Sequence, residues 1–214
     1  TTILEKTKTQ GRSFAMSNIL RPSVMIGSEW YKERDQQLWR QYKQKILQRD
    51  AYTCSYCRLT CQKFMQVNHI GAEDDHHPEN LETVCPACHS VLHLGASALE
   101  GSLTVFECKP ELTNLAEIVM ATRKLLIANV PWADIQQRVL KRYARPDGEQ
   151  FGREESIMWA NKLLASIVPP AFRAYLPEGY AVLFHEVGAW QQFPERVWKW
   201  QIMRGSHYRK EPKS

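Results

Sequence analysis

The sequence predicts an α+β fold: a small strand–loop–helix hairpin held by a four-cysteine metal cluster, led by an N-terminal helix and followed by a helical lobe. Three observations predict it. Two C-x2-C pairs, Cys54/Cys57 and Cys85/Cys88, flank residues 58–84, a stretch long enough to hold a folded insert. Within that stretch Phe64–Ile70 partly alternates apolar and polar, the period of a strand. On either side, apolar residues recur at the 3.6-residue spacing of helices.

The elements follow in order. Residues 1–27 form a polar arm. A helix from about Ser28 to Gln48 carries Trp30, Leu38, Trp39, Tyr42 and Ile46 as its apolar stripe. The first C-x2-C pair, the Phe64–Ile70 strand, a polar loop Gly71–Glu79 and a short run Glu82–Val84 come next. The second pair then opens a helix on which His89 and His93, four apart, share a face. Gly95–Gly101 reads as a small-residue loop and Ser102–Cys108 as a strand, which closes a zinc domain over 28–110. The lobe at 111–214 starts with Pro110-Glu111-Leu112-Thr113 capping a helix that runs to about Asn129, with Leu115, Ile118, Val119, Leu125 and Leu126 buried. Further helices span Pro131–Tyr143, proline being well placed in a first turn, and Arg153–Ile167, which ends at Pro169-Pro170. Asp147-Gly148 is a turn between them. A last helix carries Trp190, Trp198 and Trp200.

Composition narrows the function classes. About two-fifths of the 214 residues are apolar (43%), enough for a real core. No run reaches the roughly 18–20 apolar residues of a membrane span. Lys6, Lys8 and Arg12 precede no apolar block, so no secretory leader is expected and the reading is a soluble cytoplasmic protein. The net charge of +5 is modest and spread out, unlike the dense basic stripe of a dedicated duplex binder. The basic tail, Arg204, Arg209, Lys210 and Lys213, reads as a solvated end.

In a cytoplasmic chain, doubled C-x2-C pairs point to a metal site rather than to disulfides. A tight C-x2-C turn presents two sulfurs to one side, and zinc takes four thiolates in a tetrahedron. Cys54, Cys57, Cys85 and Cys88 are therefore the expected ligands of one structural Zn2+. Cys61 lies close enough to the first pair to be an alternative ligand; otherwise it and Cys108 fill apolar space. Five tryptophans of the C-terminal half, Trp132, Trp159, Trp190, Trp198 and Trp200, form a surplus of large apolar groups on short elements. As a set they suggest a surface for a partner protein.

A strand ending in His69, a loop ending in Asn80 and a helix bearing His89 and His93 resemble the HNH (ββα-metal) domain of the CxxC-containing kind, over residues 49–94. The resemblance implies that His69 is the general base of a nuclease, that Asn80 orients the loop, and that His89 and His93 occupy the remaining ligand positions. A second divalent ion would be bound only in an active nuclease. Such an ion stabilises charge on the phosphate, and a neutral imidazole takes the proton from water. The position before the base, usually aspartate or histidine, holds Asn68, a weaker donor for a hard cation.

The layout over residues 32–129 also resembles the IcmJ/DotN family of type IVB (Dot/Icm-like) secretion and conjugation systems. The resemblance is carried by Tyr42–Asp50, Tyr52-Thr53-Cys54, Val67-Asn68, Asn80-Leu81, Thr83-Val84-Cys85 and the junction Gly101–Leu115 with its Pro110-Glu111-Leu112-Thr113. It implies a non-enzymatic subunit of the coupling complex. That subunit would sit in the cytoplasm at the inner membrane, bound to the C-terminal tail of the coupling-protein ATPase and to other subunits. The alternative is a divalent-metal-dependent HNH endonuclease acting on DNA.

Overall fold

The computed structural model describes residues 18–25 and 36–187. The expected start of the leading helix with Trp30, the last helix with its three tryptophans, and the basic tail lie outside them. Six α-helices and three two-stranded antiparallel sheets are present among the described residues. The strands are β1 Ser23–Met25, β2 Gln66–His69, β3 Leu81–Val84, β4 Leu103–Glu107, β5 Arg173–Tyr175 and β6 Tyr180–Phe184. The helices are α1 Gln36–Arg49, α2 Pro86–Leu92, α3 Leu94–Leu99, α4 Ala116–Ile127, α5 Trp132–Tyr143 and α6 Arg153–Ala165. No described helix is long and apolar enough to cross a membrane.

α1 ends where Ala51 and Tyr52 both take left-handed conformations, and the Tyr52 N–H returns to the Leu47 carbonyl. That sharp stop throws the chain into the first cysteine turn. β2 and β3 form an antiparallel hairpin, registered Gln66↔Val84, Val67↔Thr83, Asn68↔Glu82 and His69↔Leu81. β3 is buried along its whole length. Asn80 shapes the connecting loop. Its Oδ1 accepts the Gly71 N–H at 2.6 Å, and its Nδ2 donates to the carbonyls of Ala72 and Asp75. A Cβ on Gly71 would lie 2.9 Å from the Asn80 Oδ1, so a larger residue here would push that amide aside.

Residues 95–101, expected as a loop, are mostly helical. α3 follows α2 directly, with only His93 (φ −119°, ψ 52°) between them. Leu94 and Ala98 are fully buried, and a Cβ on Gly95 would pack within 3.7 Å of the Ala160 Cβ of α6. Small residues that read locally as a linker instead let two helices approach closely. α4 starts at Ala116, later than Thr113 suggests, with the Asn114 Oδ1 turned onto its first N–H. That oxygen accepts the N–H groups of Ala116 and Leu20.

The C-terminal half is more than helices. β6 pairs with β4 from Leu103↔Phe184 to Glu107↔Tyr180, and β5 pairs with β1. Both sheets join strands from opposite sides of residue 110. One apolar core runs from Leu20 through the cysteine turns to Phe184. The far edge of β4 is satisfied by Ser156, whose hydroxyl accepts the Val105 N–H, and by the Phe151 N–H bonded to the Val105 carbonyl. Trp132 and Trp159 pack against this core instead of standing exposed; Trp159 sits 4.9 Å from Tyr180 and 6.3 Å from Phe151, ring to ring.

Asp50 clamps α1 to the hairpin. Its Oδ2 accepts the buried Thr83 N–H at 3.0 Å. It also pairs with Arg49, whose guanidinium donates to the carbonyls of Pro78 and Leu81. Asp50→Ala strands the Thr83 N–H inside the protein, a loss of about 1–3 kcal/mol. Urea denaturation checks this: a midpoint unchanged from wild type would show that the clamp contributes nothing.

Candidate metal centre

The two cysteine turns converge. The sulfurs of Cys54, Cys57, Cys85 and Cys88 all lie within 4.8 Å of one another, and all four residues are buried. The first turn is closed by the Cys54 N–H to the Leu59 carbonyl and by the Arg58 N–H to the Cys54 carbonyl. Arg58 takes φ +58°, a conformation that costs a non-glycine residue about 1–2 kcal/mol. The Ser55 N–H hooks this turn onto the Thr83 carbonyl of β3. The second turn is a helix start. Cys85 is the N-cap of α2 and its Sγ accepts the Cys88 N–H. No disulfide joins any of the six cysteines. Cys61 and Cys108 are buried but stand outside the four-sulfur group.

The group can hold a metal ion, and the donor set fits a tetrahedral one. Four sulfurs at about 2.3 Å from a central ion stand about 3.8 Å apart, and the Cys57 and Cys85 sulfurs are 3.6 Å apart. The Cys57 thiol is driven far toward the thiolate, chiefly because the Cys54, Cys85 and Cys88 thiols hydrogen-bond to it. Burial holds Cys85 and Cys88 in the thiol form. Metal entry therefore displaces protons from the cluster.

None of the described histidines joins the four-sulfur group. His69 is buried, its Nε2 3.2 Å from the Nδ1 of His76. The Trp39 indole stacks parallel to its ring with centroids 5.9 Å apart. His89 and His93 face each other with ring centroids 4.4 Å apart. Burial is the main cause that pushes His69 down to about 4, His89 to about 3 and His93 to about 4; neighbouring histidines and Arg173 add to it. Among the described residues, the four cysteines are the one group of three or more Cys, His, Asp or Glu side chains whose ligand atoms all lie within 4.8 Å of one another. The histidines form pairs, not such a group.

Asn68 turns away from them. Its Nδ2 donates to Glu82 at 3.0 Å across the hairpin, and its Oδ1 is buried without a hydrogen-bond partner. Glu82, itself 1% exposed, also accepts the Tyr56 hydroxyl and the Asn18 amide. Burial, reinforced by this carboxylate, raises the Tyr56 pKa strongly.

Arg173 belongs to no motif in the sequence. Its guanidinium, from β5, donates to the His69 carbonyl at 2.8 Å, the Ser23 hydroxyl at 2.8 Å and the Leu92 carbonyl at 3.2 Å. A cation is thus fixed beside the carbonyl ends of β2 and α2, close enough to disfavour positive charge on His69, His89 and His93. Only proximity in the fold reveals it, since 104 residues separate it from His69.

No protein-family model and no curated protein sequence matches the chain.

The neutral histidines have a pH consequence. Between pH 6.5 and about 4 the unfolded chain binds protons at His69 and His93 that the folded chain refuses, so acidification through this window erodes stability. Imidazole proton shifts followed by NMR should titrate with midpoints near 4 for these two residues. Midpoints near 6.5 would show that neither ring is shielded in solution.

Proposed function

We propose that this chain is a zinc-stabilised, non-catalytic adaptor whose cysteine centre is structural and whose histidine side does no chemistry. The observation that carries the reading is Arg173. A buried guanidinium stands where a nuclease would need a divalent cation to be welcome, and like charges repel. Asn68 supplies no carboxylate anchor, and the Asn80 amide is held by its own loop, through Gly71, Ala72 and Asp75. A four-thiolate centre with no open position is the structural kind of zinc site.

The partner comes from the resemblance to the IcmJ/DotN family: the C-terminal tail of the coupling-protein ATPase of a type IVB secretion or conjugation system, met in the cytoplasm at the inner membrane. Exposed apolar side chains at Leu164, Val168, Phe172 and Tyr175 support a protein-binding role. The HNH endonuclease reading has one observation in its favour: His69 is neutral at pH 7, as a general base must be.

Purified protein should carry one zinc per chain by elemental analysis. Structural zinc supplies roughly 10 kcal/mol or more of apparent binding energy, so Cys88→Ser should be insoluble or partly unfolded. A Cys88→Ser variant that folds without zinc would sink the structural-zinc reading.

The two functional readings separate in one set of assays. Co-expression with the ATPase tail should yield a co-purifying complex, and supercoiled plasmid with magnesium, manganese or nickel should stay intact. Robust nicking that disappears in His69→Ala would establish the nuclease instead.

A further inference from the structure

We infer that Arg123 guards the metal centre: its guanidinium caps the Cys57 sulfur from outside the hairpin and governs how fast the bound ion is lost. The inference rests on the structural-zinc reading and assigns a role to a residue far in sequence from both cysteine turns. Arg123 projects from α4, and its Nη1 lies 3.6 Å from the Cys57 Sγ, a contact between residues 66 apart in sequence. α4 is firmly seated, with Ile118, Val119 and Thr122 buried at 1% exposure or less. The guanidinium is therefore delivered from a fixed base.

The chemistry of the centre makes such a group consequential. Four thiolates around a divalent ion leave two net negative charges in a buried place, which is costly unless donors and cations face them. Each turn has one sulfur with such a donor: the Cys88 N–H serves Cys85, and Arg123 serves Cys57. Cys57 is also the corner nearest solvent. It is 3% exposed, while Cys54, Cys85 and Cys88 are at 0%. A chelator, proton or electrophile reaching the cluster meets Cys57 first, and Arg123 lies over it. A hydrogen bond from a cation lowers the charge density on that sulfur and so slows its attack on electrophiles and its protonation.

The test compares wild type, Arg123→Met and Arg123→Lys, each purified with zinc. Methionine keeps an apolar stem but removes the charge; lysine keeps the charge without the planar fork. Zinc release into excess EDTA, followed by a chromogenic indicator, should be about 10-fold faster in Arg123→Met, the lower end of what losing a hydrogen-bonding partner to a ligand does. Arg123→Lys should fall between it and wild type. Iodoacetamide labelling of the zinc-loaded proteins, mapped by mass spectrometry, should show Cys57 modified ahead of the other three in Arg123→Met. Release at the wild-type rate from Arg123→Met would overturn the inference, and so would a lysine variant no slower than methionine. Should Arg123→Met fail to fold, the lysine variant decides alone, an unchanged labelling order and release rate counting against the guard. Wild type without bound metal would instead bring down the structural-zinc reading itself, a distinct result.

Discussion

Everything in this fold depends on closing four sulfurs around one point. The β2–β3 hairpin is four residues to a strand, and a lone two-stranded ladder is marginal in water. The turn before it holds Ala51, Tyr52, Arg58 and Phe64 at positive φ, each a conformation that non-glycine residues resist. What holds these turns in place is tethering at both ends. The first cysteine pair hangs on β3 through the Ser55 N–H, and the second pair is the start of α2. Because Cys85 directly follows Val84, fixing the cluster fixes the register of β3, and with it the position of every side chain on the hairpin.

The second organising device is a buried polar seam. Arg173 ties β5 and β1 to the ends of β2 and α2, and Glu82 gathers Tyr56, Asn68 and Asn18 on the other side of the hairpin. The Glu82 carboxylate is close enough to oppose the fall that burial imposes on the Arg173 pKa. Such groups are costly to bury singly and tolerable together. Lying near the cation and out of water, His69, His89 and His93 stay neutral.

The parts of this arrangement that were legible in the sequence are those fixed by local pattern. The C-x2-C spacing located the four-sulfur group, and alternation located β2 and β4. A proline at the first turn located α5. The expected buried residues Leu115, Ile118 and Val119 are buried, while Leu125 and Leu126 are only partly so. What stayed hidden depends on contacts between distant residues. β1 and β5 are three residues long and have no periodicity of their own; they are strands because they pair with each other. β6 was hidden within a region read as wholly helical. Gly95–Leu99 has the composition of a linker and becomes α3 because Leu94 and Ala98 find a core. Trp159 looked like surplus apolar surface because β6, with Tyr180, was not foreseen.

Asn68 shows how geometry changes the meaning of a motif. Read along the chain, it sits where a carboxylate would anchor a cation, so an acid there looks like the simplest way back to a working nuclease. In the fold, its amide donates to Glu82, a carboxylate already 1% exposed. An aspartate at 68 would set two carboxylates face to face across the hairpin. One would have to hold a proton, as like charges in a dry site do. The added oxygen would therefore be spent on Glu82 and not on a metal, and Arg173 would still stand beside the histidines. The seam that stabilises this hairpin and the centre that would cleave a phosphodiester make opposite demands on the same few residues.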